Sequence, residues 1–124
     1  MQREKSTPLA IRPGAIFPLS SDAAQPACLS CALNSGGNAF FTVLDPSASG
    51  SNELVYSTFL GGSVSDAATS LAVGPLGLVA VGGSTYSSDF PVTANALEST
   101  CVACRNIDIE SFLNGDGFLA VFQF

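Results

Sequence analysis

Two stretches of this chain resemble each other in a fixed order of residue types. Gly37-Asn38-Ala39-Phe40-Phe41-Thr42-Val43-Leu44 is echoed by Gly115-Asp116-Gly117-Phe118-Leu119-Ala120-Val121-Phe122, 78 positions later. A Cys-x-x-Cys precedes each copy: Cys28 and Cys31, then Cys101 and Cys104, 73 positions later. A loop insertion ahead of Gly115 accounts for the difference between the two offsets. Self-similarity in a fixed order marks a repeat architecture, whose units cannot bury their apolar faces alone and are completed by neighbours. On this reading the chain holds one full repeat and the tail of the one before it.

Between these landmarks the text is short apolar runs cut by Gly, Pro, Asn and Ser. Ala39–Leu44 stops at Asp45-Pro46, a turn opener, and Leu54–Leu60 stops at Gly61-Gly62. Ala67–Val73 stops at Gly74-Pro75, and Leu78–Val81 lies between Gly77 and Gly82-Gly83. Phe118–Phe124 follows Asn114-Gly115-Asp116-Gly117. Short β-rich runs with frequent turn signals predict an all-β domain. Ala94–Ser99 suffices for a single helical turn, and Asn106–Leu113 reads equally as strand or short helix. Neither reaches the roughly 12–15 residues that make a helix stable by itself. Upstream, Pro8, Pro13, Pro18 and Pro26 interrupt residues 1–36, which read as a poorly ordered lead-in.

The run Leu54-Val55-Tyr56-Ser57-Thr58-Phe59-Leu60-Gly61-Gly62-Ser63, followed by Asp66, Ser70-Leu71-Ala72-Val73, Val79-Ala80-Val81-Gly82-Gly83-Ser84-Thr85 and Ser88-Asp89-Phe90-Pro91, closely resembles the bacterial SBBP (beta-propeller) repeat. The Gly-Asx-Ala/Gly-Phe strand at both ends resembles that family's last strand. The resemblance covers roughly residues 37–124. It implies an antiparallel four-stranded propeller blade plus the last strand of a preceding one, in a secreted or cell-surface bacterial protein, with no family-wide catalytic residues. The turn Gly74-Pro75-Leu76-Gly77 departs from the family in lacking its usual Asp and Asn, which weakens any cation site there. The Cys-bearing insertion, at about residues 86–114, lengthens the repeat. Apolar residues on both alternating phases of the strands fit a sheet covered on both faces.

Composition excludes more functions than it suggests. The chain has 124 residues, about one domain at the usual roughly 100–200 residues apiece. It is 47% hydrophobic and 11% charged, too apolar for a disordered chain. The formal net charge of −6 leaves no basic footprint for nucleic acid or an anionic membrane surface. The absence of His removes the commonest general base and metal ligand. Neither a signal-type apolar run after Lys5 nor a membrane-spanning apolar stretch is readable, so membrane insertion is not expected. A missing leader is as expected of a fragment as of a cytosolic protein.

Each reactive-looking group has a plainer reading. Two Cys-x-x-Cys motifs resemble a zinc ribbon, but Cys28/Cys31 and Cys101/Cys104 stand much further apart than the roughly 15–20 residues a ribbon allows. Two local disulfides in an oxidising compartment are the better reading. Asn106, Asp108 and Glu110 mimic the start of an EF-hand loop, with Asn114 and Asp116 nearby. The motif then fails: Ser111 occupies the place of the required Gly, and Gly117 that of the bidentate Glu. Asp66 and Asp89 could serve as paired loop carboxylates of a glycosidase or lyase, yet they read first as turn and capping residues. No His is present to activate a Ser or Thr, the sole Lys is Lys5, and Gly61-Gly62 and Gly82-Gly83 do not make a phosphate loop.

The sequence therefore predicts a non-enzymatic structural or interaction module without a cofactor, extracellular or at the cell surface. Its expected partners are other blades or copies of itself, and beyond those an extracellular protein or glycan. The alternatives are a carbohydrate-active propeller enzyme using Asp66 and Asp89, and a small domain held by zinc on the four cysteines.

Overall fold

Glycine and proline divide the chain into segments too short for stable helices, and the apolar runs between them pair as strands. The structure, a computed structural model, describes residues 17–31, 36–105 and 115–124. Among these residues it is all-β, with strands β1 (Ala39–Leu44), β2 (Leu54–Leu60), β3 (Asp66–Val73), β4 (Leu78–Thr85) and β5 (Asp116–Gln123). Three short 3₁₀ turns at Gly50–Glu53, Pro75–Gly77 and Ala103–Arg105 complete the regular structure. Residues 94–99 contain a turn rather than a helix, and Asn106–Leu113 lies outside the described residues.

All pairings are antiparallel, but the strands divide otherwise than a single four-stranded blade starting at Leu54 requires. β1 and β2 form a two-stranded sheet, in register Phe41↔Thr58 and Val43↔Tyr56. β3, β4 and β5 form a three-stranded sheet in that order, with Leu71↔Val81 and Val81↔Ala120 in line. The Asp45-Pro46 turn folds β1 back on β2, where the Ser47 N–H and hydroxyl bind the Asp45 carboxylate at 2.9 and 2.6 Å. The link after Leu60 crosses from one sheet to the other. β4 also runs on through Gly82 and Gly83 to Thr85, beyond the expected end at Val81.

The core lies between the two sheets. Ala39, Phe41, Tyr56 and Leu60 from one face Val79 and Val81 from the other, with Val43, Phe90, Phe118, Ala120 and Phe122 packed around them. The Phe41 and Phe122 rings stack at 4.9 Å, and Tyr56 meets Phe124 edge-on at 5.0 Å. Such aromatic pairs are worth about 0.5–1.5 kcal/mol each beyond the area they bury. Alternation along β5 then decides the outer surface: Phe118, Ala120 and Phe122 turn inward, while Leu119 and Val121 are 74% and 62% exposed.

Candidate functional site

The crossing between the sheets is held by polar side chains. Along the turn after β2, the Gly62 N–H donates to Asp66 Oδ2 at 2.8 Å, Ser63 N–H to Asp89 Oδ1 at 2.9 Å, and Val64 N–H to Ser87 Oγ at 2.9 Å. Side chains at Gly61 and Gly62 would strike Asn38, Asp66, Ser87 and Asp89, so close approach demands glycine at both places. Asp66, on the first position of β3, is buried. It also accepts from Thr85 Oγ1 at 2.5 Å, Ser87 Oγ at 2.9 Å and Asn38 Nδ2 at 3.0 Å. Asn38, at the entry to β1, also binds Ser30 Oγ and the Gly62 carbonyl, each at 2.8 Å. One carboxylate thus ties both sheets and the turn between them.

This arrangement defines what the two singled-out acids can do. Asp66 already receives four donors, so its oxygens are committed to structure rather than presented to a substrate. Asp89 is exposed, and the Ser63 backbone N–H holds its carboxyl below the ordinary value. Slight burial opposes that shift, and the Ser63 hydroxyl, 3.0 Å away, adds to it. Both acids cap one turn.

Cys28–Cys31 and Cys101–Cys104 stand at disulfide-bonding distance, with Cα atoms 5.5 and 5.4 Å apart. Among the described residues no three Cys, Asp or Glu side chains gather as a metal would require. A four-thiolate zinc centre is therefore not assembled. Of the EF-hand-like cluster, Asn106, Asp108, Glu110 and Asn114 lie outside the described residues. Asp116 accepts the Val102 N–H at 2.9 Å. Among the described residues no helix is long and apolar enough to cross a membrane.

That last contact reveals a repeat longer than the one read from the strands. Leu29 N–H donates to Asn38 Oδ1 at 2.8 Å, just as Val102 N–H does to Asp116. The Asx side chain at the start of each strand therefore caps its disulfide loop. Upstream, Ala23 N–H donates to the Ser20 carbonyl and Ala96 N–H to the Thr93 carbonyl. Phe17 packs on Phe40 at 4.9 Å, and Phe90 on Phe118 at 4.6 Å. Residues 17–31 and 90–104 are thus one motif used twice, opening on Phe17-Pro18 and Phe90-Pro91 at the cysteines' own offset of 73. The sequence reading placed residues 17–31 within the lead-in, although the paired Phe-Pro was the available signal. These residues run beside β2: Gln25 N–H reaches Thr58 Oγ1 at 2.8 Å, and Phe59 N–H reaches the Gln25 carbonyl at 3.1 Å.

The repeat gives the exposed faces a meaning. Phe41 and Val43 of β1 correspond to Leu119 and Val121 of β5, and Phe40 and Leu44 to Phe118 and Phe122. Phe41 and Val43 pack against the three-stranded sheet, yet their counterparts face outward. Conversely, Phe118 and Phe122 pack inward, while Phe40 and Leu44 are 57% and 61% exposed. Comparison with protein-family models, with curated proteins and with solved structures finds no match.

Proposed function

We propose that the chain is a structural and interaction module of an extracellular β-propeller, built from parts of two successive SBBP-like repeats. It acts by stacking on like units. The observation that carries this reading is the swap of faces between β1 and β5. The phase that β1 buries against a neighbouring sheet is the phase that β5 leaves bare. Leu119 and Val121 thus stand ready to receive a further three-stranded sheet, as Phe41 and Val43 receive the one present. Phe40 and Leu44 offer the complementary surface on the opposite side. Stacking in this sense is head-to-tail, so it extends until units run out or a ring closes. The two cysteine pairs suit an oxidising, extracellular setting. The full set of donors on Asp66 speaks against a carbohydrate-active role for the loop acids.

Sedimentation velocity across a concentration series tests the reading. The protein associates as concentration rises, and Leu119→Lys shifts it to monomer without loss of β-structure. A compact monomer at every concentration would remove the stacking argument.

A further inference from the structure

Beyond the swap of faces, the two copies of the repeat differ in what lies beside the strand. In the first, β2 lies between two walls. On one side it pairs with β1. On the other, Ser20 and Gln25 bind it: Ser20 N–H to the Ser57 carbonyl at 3.2 Å, Ser57 N–H to Ser20 Oγ at 3.0 Å, and Gly61 N–H to Gln25 Oε1 at 3.1 Å. Phe17 completes the fit by packing on both Phe40 and Phe59, at 4.9 and 5.0 Å.

The second copy has both walls, and among the described residues no strand lies between them. β5 stands where β1 does, and among the described residues it pairs on one side only, with β4. Thr93 and Glu98 stand where Ser20 and Gln25 do, and both are exposed although Ser20 and Gln25 are half-buried. Val92 is likewise exposed where Leu19 is half-buried. Phe90 rests on Phe118 as Phe17 rests on Phe40. A sheet edge with free N–H and C=O groups is a template for another strand.

We infer that the edge of β5 away from β4, beside residues 93–98, is a strand-acceptor site for an extended segment of the β2 type, with the text Tyr-Ser-Thr-Phe-Leu-Gly-Gly. The proposal rests on the repeat reading above and names the partner of its open edge. The register follows from the first copy: Thr58 of the incoming strand lies opposite Leu119, Tyr56 opposite Val121, and Phe59 opposite Phe118. Its Phe59 ring then covers Phe90. A second folded copy cannot donate its own β2 without unpairing it on both sides, so the occupant is a free strand of this chemistry.

A fluorescein-labelled peptide spanning residues 53–62 is titrated into the full chain and followed by anisotropy, with amide hydrogen exchange read on β5. The proposal expects saturable binding and slowed exchange at Leu119 and Val121. Peptide Thr58→Pro, which cannot pair at its centre, and peptide Phe59→Ala bind about tenfold or more weakly. No binding, binding that leaves β5 exchange unchanged, or equal binding of the proline peptide would overturn it. So would a dimer of the protein alone with β5 already protected and peptide excluded, which marks strand exchange between copies. The titration is repeated on Leu44→Lys, which lies outside the acceptor site and which the stacking reading expects to be monomeric. Self-association of the wild type without peptide binding removes the acceptor site and leaves stacking intact. Peptide binding without self-association does the reverse.

Discussion

Asp66 shows how one residue can decide the relation between two sheets. Its donors come from the entry to β1, the turn after β2, the end of β4 and the segment beyond it. Asp66→Ala leaves those buried donors without an acceptor and is expected to cost about 2–4 kcal/mol in urea unfolding. Ser63→Ala at the exposed rim should cost well under about 1 kcal/mol. Asp89 belongs to the same turn and contributes a pH dependence. Its carboxyl is held below the ordinary value of 3.8, so the folded state binds its proton less readily than the unfolded chain does. The stabilisation is present above that value and is lost as pH falls through the folded one. Acid unfolding of Asp89→Asn should therefore be less steep below about pH 4 than that of the wild type. The capping role of both acids was legible in the sequence, because Asp beside Gly-rich turns binds backbone N–H groups. The Ser63 amide was not legible as the partner of Asp89, since the two lie 26 positions apart and meet only once the segment after β4 has folded against the turn after β2, whereas the Gly62 amide and Asp66 are four positions apart in one turn.

At the scale of elements, the strands themselves were legible and their partners were not. Ala39–Leu44 and Leu54–Leu60 match the sequence reading, because apolar runs bounded by Gly and Pro leave few other choices. Pairing depends on which link folds back and which crosses over. Both links are polar and turn-rich, and only the steric demand at Gly61 and Gly62 marks the second as the crossing. Residues 17–31 were hidden for a different reason: they form no strand, and their order comes from hydrogen bonds to β2 and from a disulfide loop that Asn38 caps. Thiol titration of the native protein is expected to find no free thiols, and four after reduction. A bridge across so short a loop adds little global stability. Reduction should hence speed amide exchange at Leu29 and Val102, while the β-sheet circular dichroism persists.

For the whole molecule, the two exposed faces are unlike, and the proposed stacking requires them to be complementary. One carries Leu119 and Val121, and the other Phe40 and Leu44 with the Phe17 and Phe59 rings. Unlike faces make a heterologous interface, whose polarity can be tested by blocking each end separately. Val121→Lys blocks one face and Leu44→Lys the other, both at exposed positions outside the core. Each variant alone should be monomeric, and an equimolar mixture should sediment as a one-to-one dimer and nothing larger, since each still has one usable face. If either variant dimerises alone, or the mixture stays monomeric, the two faces do not recognise each other and the stacked-repeat account fails.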